Sequence, residues 1–214
     1  MYDNPSQGNT EEESINPEDY VPAKREFFLR NAPGLAPRLI GCLLRRNTDS
    51  GPVSGVIVET EAYTRDDPAS HSFGGETGRN WPMFRGGGLA YVYLIYGVHN
   101  CFNVTSGPPG SGEAVLVRAA RPIEGTELMR KNRGVQNLKA LCSGPGKLCQ
   151  AFGIDRRHNG ASLLDGNIEL LVPAGEESLD VAAGPRVGIS RARELNRRFI
   201  LRDSPWLSRG CPGS

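Results

Sequence analysis

The order of apolar and polar positions predicts short helices first and then a series of β-strands. Apolar residues recur at helical spacing over residues 37–46, after a shorter helical stretch over residues 23–31. Runs rich in β-branched and aromatic residues predict strands over residues 53–63, 89–96, 101–105, 113–120, 168–172 and 186–189. Further helices are predicted over residues 122–133, opened by a proline, and over residues 144–151. The chain shows no internal repeat and no sign of a second domain.

The first twenty residues differ from the rest of the chain. Residues 1–20 are polar and contain six acidic residues but no lysine or arginine, which predicts a flexible acidic tail before a domain over residues 21–214. The whole chain has 25 basic and 24 acidic residues, so the predicted domain carries an excess of seven basic residues. Such an excess could attract a polyanion. A solvated surface with alternating charges explains it as well.

Composition excludes several broad classes of protein. Hydrophobic residues make up 38% of the chain, which is enough to build a core and argues against global disorder. No apolar run approaches the roughly 18 residues of a membrane span, and the first residues lack a signal-peptide pattern. Five cysteines without a CxxC pair disfavour a disulfide framework and a zinc ribbon. We therefore expect a reducing, intracellular location and no membrane association.

Polar and ionisable residues stand inside three apolar stretches. Alternation along residues 53–63 places Glu59, Glu61 and Tyr63 on one face of a strand. Arg118 is surrounded by apolar strand residues, so it is a candidate partner for Glu61. A carboxylate beside an arginine could activate a water, or the two could form a structural ion pair.

Aromatic residues nearby offer a second type of chemistry. Tyr91 and Tyr93 share a face of the next predicted strand, and the Gly-rich segment 64–88 contains His71. Loops of that length are usually functional or disordered. Rings of this kind could stack on a planar base. Each could also be an ordinary core or loop residue. Patterns for a phosphate-binding loop, a dinucleotide fold, an HExxH metal site and a zinc deaminase are absent from the sequence.

Ordered segments of the chain closely resemble the alkyladenine (3-methyladenine) DNA glycosylase family, the type without a helix-hairpin-helix. The segments are LIGCLLRR, GVIVETEAY, DPASHSFGG, TGRNWPMF, GGLAYVYLIYGVHNCFNV, AVLVRAARPIEG and GPGKLCQAFGI, followed by PRVGI and RRF. They cover roughly residues 35–202. The resemblance implies an α+β fold, a single mixed domain with a curved, mostly antiparallel sheet flanked by helices. His99 stands where the family sometimes has another aromatic residue, and the acidic tail has no counterpart.

The resemblance also implies roles for individual residues. Glu61 corresponds to the general base that deprotonates the attacking water, and Arg118 helps to hold that water. Tyr63, His71 and Tyr93 correspond to the rings that enclose the flipped base, with Met83 as a further pocket residue. Asn103 corresponds to the residue that crowds the 2-amino group of guanine, and Tyr96 to the side chain that fills the gap left in the duplex. Candidates for phosphate contact are Arg79, Lys147, Arg197 and Arg198.

The expected activity is hydrolytic removal of alkylated or deaminated purines from damaged double-stranded DNA, which leaves an abasic site. The expected enzyme acts as a monomer without metal or cofactor, and lyase chemistry is not expected because no lysine matches an active-site position. Three alternatives remain open: a non-catalytic nucleic-acid-binding module, a nucleoside hydrolase, and a metal-dependent hydrolase that uses His71 and His99. Lesion preference does not follow from the sequence.

Overall fold

The computed structural model describes residues 15–175 and 178–210. The strands in these ranges are β1 (Tyr20–Pro22), β2 (Leu43–Thr48), β3 (Gly51–Tyr63), β4 (Ala90–Ile95), β5 (His99–Ser106), β6 (Glu113–Glu124), β7 (Ile168–Pro173), β8 (Val181–Gly184) and β9 (Arg198–Leu201). The α-helices are α1 (Arg25–Phe28), α2 (Ala32–Leu35), α3 (Thr126–Arg133) and α4 (Pro145–Phe152). Single 3₁₀ turns lie at Pro17–Asp19, Ala36–Leu39, Trp81–Phe84, Leu138–Ala140 and Arg156–His158. None of these helices has the length and apolar character that a membrane crossing requires.

The described strands form one open sheet in the order β1-β7-β2-β3-β6-β5-β4, with β9 pairing both β3 and β8. Every strand pair in these ranges is antiparallel. The α+β class with a mostly antiparallel sheet and a few helices is therefore confirmed. Helix α4 packs against β5 and β6 and contacts α3, which covers one face of the sheet.

Strand β3 organises the sheet because it is long enough to serve three neighbours. Its first half pairs with β2, its second half pairs with β9 along the same edge, and β6 pairs along the other edge. The β3–β6 register shifts around Glu59. Glu59 pairs with Ala119 and Thr60 pairs with Val117, so Arg118 lies between these two partners as an extra residue of β6. Such irregularities redirect side chains. Here they lie beside Glu61.

The predicted helix over residues 37–46 is wrong in its second half. Residues 36–39 form a 3₁₀ turn, and β2 then runs antiparallel to β3. Leu44 enters the main core while Leu43 packs with Val56 and Leu171 in a smaller cluster. A strand that is buried on both faces has adjacent apolar residues, which fit helical spacing equally well.

Two other predicted elements also differ from the structure. Pro122 lies inside β6, opposite Gly55 where the β3 register is irregular, and α3 begins only after Gly125. Residues 186–189 form no strand, because Pro185 lacks an N–H and Gly188 has a left-handed φ of 76°. Within the predicted tail, residues 17–19 form a 3₁₀ turn and Tyr20 pairs with Pro173. Residues 1–14 lie outside the described ranges.

Candidate active site

One cavity of about 950 Å³ opens where the ends of β3, β4, β5 and β6 share a face of the sheet. Antiparallel pairing sets Glu61 opposite Leu116, Leu116 opposite Asn103, and Asn103 opposite Tyr91. Side chains opposite one another in a sheet point to the same side. The cavity therefore collects residues from distant parts of the chain on one floor. The segments 68–71, 144–147 and 187–191 form its walls.

Glu61 lies on the cavity floor and is fully buried. Its Oε2 accepts a hydrogen bond from the Tyr63 hydroxyl at 2.8 Å, and its Oε1 accepts one from the main-chain N–H of Val187 at 2.7 Å. The Nη1 of Arg118 lies 3.3 Å from Oε1. A buried charge needs partners of this kind. The carboxylate is thus held in one orientation by a side chain, a main-chain group and a cation.

Arg118 is itself almost buried, with 7% of its surface exposed. Burial lowers the pKa of its guanidinium, but the charges of Glu61 and Glu59 more than offset that effect and raise it overall. Arg118 therefore remains a cation beside Glu61. The partnership suggested by the sequence is present in the structure.

Aromatic rings surround the space above Glu61. The rings of His71 and Tyr93 meet edge to face with centroids 4.4 Å apart, and Tyr91 lies 5.4 Å from Tyr93. His71 Nδ1 is 2.8 Å from the Tyr91 hydroxyl, which fixes the imidazole ring. Burial, together with the charge of Arg79, lowers the pKa of His71 to about 4. The imidazole is therefore neutral at physiological pH.

The remaining predicted pocket residues lie in the same cavity. The Asn103 side-chain amide donates to the main-chain oxygen of Tyr91 at 3.0 Å, so its position is fixed by the sheet. Met83 is 1% exposed and packs with Phe84, Tyr91 and Ala114. The floor thus combines a carboxylate, an amide and apolar surface.

Tyr96 stands at the mouth of the cavity, at the tip of the β4–β5 hairpin. It is 82% exposed, and neighbouring Val98 is 70% exposed. Tyr96 and Gly97 both have positive φ angles, 52° and 73°, as a tight hairpin turn requires. A large aromatic side chain held in the left-handed region at an exposed tip points to function rather than to packing.

Comparison with known families shows the family to which a chain with this site belongs. The model of the methylpurine-DNA glycosylase family matches residues 26–205. The chain belongs to this family. It is therefore a DNA glycosylase, an enzyme of DNA repair, rather than a non-catalytic binding module.

Several relatives of the glycosylase carry the name "Putative 3-methyladenine DNA glycosylase". One from Rhodopseudomonas palustris strain BisB18 is 48% identical over 87% of this chain and 90% of its own length. One from Methanoculleus marisnigri is 47% identical over 86% of this chain and 96% of its own length. One from Agrobacterium fabrum is 45% identical over 92% of this chain and 95% of its own length.

The basic residues named as DNA contacts fall in different places in the glycosylase. Lys147 is exposed at the cavity rim, where its Nζ donates to Ser143 Oγ at 3.2 Å. Arg79 lies at a separate, smaller cleft that also includes Arg156. Arg197 is half-buried. The Arg198 side chain is 5% exposed and donates to Glu59, so it faces the interior rather than a surface that DNA could reach.

Two of the residues that organise the site carried no signal in the sequence. Arg186 pairs with the fully buried carboxylate of Asp67, and its guanidinium lies 4.6 Å over the Tyr63 ring. Val187 contributes only a main-chain N–H, which no side-chain motif reveals. The segment PRVGI carries part of the family resemblance, but the sequence predicts no role for Arg186 or Val187 within it. Among the described residues, no three His, Cys, Asp or Glu side chains are grouped to hold a metal ion.

Proposed function

We propose that this glycosylase flips alkylated or deaminated purines out of duplex DNA and cleaves their N-glycosidic bonds by hydrolysis. The expected substrates are 3-methyladenine, 7-methylguanine, hypoxanthine and ethenoadenine, and the product is an abasic site in an uncut strand. One observation carries the proposal: a buried carboxylate, Glu61, lies on the floor of a cavity walled by Tyr63, His71 and Tyr93. The names of the relatives support the same substrate class.

Extrusion of the base is the first step of the proposed reaction. Unstacking a base costs a few kcal/mol, and least where the base is damaged. Tyr96 is suited to fill the gap because its ring is exposed at the tip of a tight hairpin. In the cavity, stacking on each ring contributes about 1–3 kcal/mol. The neutral imidazole of His71 adds no repulsion toward a purine made cationic by alkylation.

Hydrolysis follows once the sugar lies over Glu61. The bond between C1′ and the purine nitrogen breaks, its electron pair leaves with the base, and the sugar develops oxocarbenium character. The Glu61 carboxylate stabilises that charge and takes a proton from the water that adds to C1′. General-base action of this kind contributes about 10²–10⁴-fold to a rate. Arg118 orients the water and the carboxylate from the side.

Selection against normal guanine is assigned to Asn103. Its amide is anchored on the main-chain oxygens of Tyr91 and Cys101. Because the side chain is 4% exposed and held from two sides, it has little freedom to move aside for an exocyclic 2-amino group. Lys147 is an exposed cation at the rim and is placed to contact a phosphate. We infer a monomer, since a duplex must be held on one open face of the protein.

The test is base release from duplex oligonucleotides that each carry one of the four lesions. Wild type, Glu61→Gln and Glu127→Gln are incubated with each duplex in EDTA, and alkali then cuts the strand at abasic sites. Glu127 is the matched control because its side chain is 84% exposed on α3, away from the cavity. We expect release by wild type and by Glu127→Gln, and a loss of at least about 100-fold in Glu61→Gln.

Three outcomes would contradict the proposal. If Glu61→Gln released bases at the wild-type rate, the Glu61 carboxylate would have no part in the reaction. Absence of release from all four lesions would show that the substrates lie elsewhere. Release that disappears in EDTA and returns with a divalent metal would contradict the metal-free mechanism.

A further inference from the structure

A second buried carboxylate lies directly behind Glu61 and Arg118. Glu59 is fully buried, and its Oε1 accepts from Arg118 Nε at 2.9 Å and from Arg198 Nε at 2.8 Å. Ser208 completes the cluster: its hydroxyl donates to Oε1 at 2.9 Å and its main-chain N–H donates to Oε2 at 2.6 Å. Glu59 therefore receives four donors, which is close to the capacity of one carboxylate.

Arg118 is shared between the two carboxylates in a specific way. Its Nε donates to Glu59, while its Nη1 faces Glu61 at 3.3 Å. The Ser208 hydroxyl lies 3.3 Å from its Nε and 3.2 Å from its Nη2, so it covers the far side of the guanidinium. A free guanidinium readily forms a two-nitrogen fork with a single carboxylate. In this cluster both other nitrogens are engaged, Nε by Glu59 and Nη2 by the Ser208 hydroxyl, which leaves Nη1 for Glu61.

Sharing Arg118 in this way leaves Glu61 more accessible to a water. A fork on Glu61 would occupy both of its oxygens with donors from one cation and leave less access for a water. With Arg118 held at Nε, Glu61 meets only Nη1 and keeps room toward the cavity. The charges also balance, since two carboxylates face two guanidinium groups, Arg118 and Arg198.

The segment that supplies Ser208 is tied down at this point. Trp206 is 5% exposed and packs with Val58 and Ala119 on β3 and β6. Arg198 Nη2 donates to the main-chain oxygens of Arg209 and Gly210 at 2.9 and 3.2 Å. Ser208 lies beyond the residues that the family model matches, 26–205.

We propose that Glu59 and Ser208 are positioning residues for the glycosylase reaction, which hold Arg118 by its Nε so that only Nη1 reaches Glu61. The inference rests on the proposed function. It adds the segment around Ser208 to the active site, although none of its atoms touches the substrate cavity.

The test compares Ser208→Ala with Ser204→Ala in single-turnover base release at saturating enzyme, well below the melting temperature. Both changes remove one hydroxyl from the same segment, but within residues 15–175 and 178–210 the Ser204 hydroxyl accepts a single hydrogen bond, from the N–H of Trp206 at 3.4 Å. We expect the rate of the chemical step to fall about tenfold in Ser208→Ala, because hydrogen bonds to charged groups are the stronger ones. The half-saturating enzyme concentration should stay within about twofold, and Ser208→Thr should restore the rate.

A second measurement does not depend on activity. The Nε–H resonance of Arg118, assigned by its loss in Arg118→Lys, should exchange slowly with water in wild type and in Ser204→Ala. In Ser208→Ala it should shift and exchange faster. An unchanged resonance, an unchanged rate, or no rescue by threonine would overturn the inference. If wild type releases no base, the proposed function fails separately, and the resonance alone decides whether Ser208 holds Arg118.

Discussion

Asp67 offers the most direct test of how the glycosylase holds its aromatic wall. The carboxylate is fully buried and pairs with Arg186 through two nitrogens and with Arg197 at 3.2 Å. It also accepts the main-chain N–H of Ala69 at 2.9 Å. Arg186 in turn lies over the Tyr63 ring. Asp67→Asn keeps the size of the side chain but removes the charge, so a buried guanidinium loses its counter-ion.

The expected cost follows from burial. Removal of one partner from a buried ion pair destabilises a protein by about 3–5 kcal/mol, because an uncompensated charge is left behind. For a domain of this size, each kcal/mol shifts the melting temperature by about 2–4 °C. We therefore expect the melting temperature to fall by about 6–20 °C. The Arg186 side chain has no solvent exposure, so water cannot replace the lost carboxylate.

The assay is thermal unfolding followed by circular dichroism, with Asp180→Asn as the control. Asp180 forms the same type of pair with Arg202, but the two side chains are 70% and 52% exposed. Exposed pairs contribute about 0–1 kcal/mol, so the control should melt within about 4 °C of wild type. Equal shifts in the two variants would refute the reasoning, since burial would then have no effect on the cost.

Three further predictions concern the cavity. Tyr63→Phe removes the hydroxyl that donates to Glu61 and should slow the chemical step by about tenfold with lesion binding retained, as measured by single-turnover release. Asn103→Ala should raise release of guanine from undamaged duplex relative to hypoxanthine, measured by chromatography of free bases, because it removes the amide that we propose to crowd the 2-amino group. The pKa of His71 is about 4 in the folded protein, against an ordinary value of 6.5. As the pH falls from 6.5 toward 4, the unfolded chain therefore binds a proton at this residue that the folded chain does not, and the free energy of unfolding decreases. Denaturant titrations should show a smaller loss over that range in His71→Gln than in wild type.

The sequence by itself predicted much of the site because alternation along a strand is a local property. Glu59, Glu61 and Tyr63 were predicted to share a face of one strand. In the structure Glu59 and Glu61 both contact Arg118, and the Tyr63 hydroxyl bonds to Glu61. The motif resemblance named the family, which the family model confirms. The roles of individual residues stay predictions.

Long-range pairing decided what the sequence could not. Residues 43–46 became strand rather than helix because β3 and β7 cover both edges of β2. Arg198 looked like a surface cation, yet the register of β9 against β3 turns it inward onto Glu59. Val187 reaches Glu61 through a main-chain N–H, and every residue except proline has that group. Such contacts depend on where distant segments meet, so only the tertiary structure specifies them.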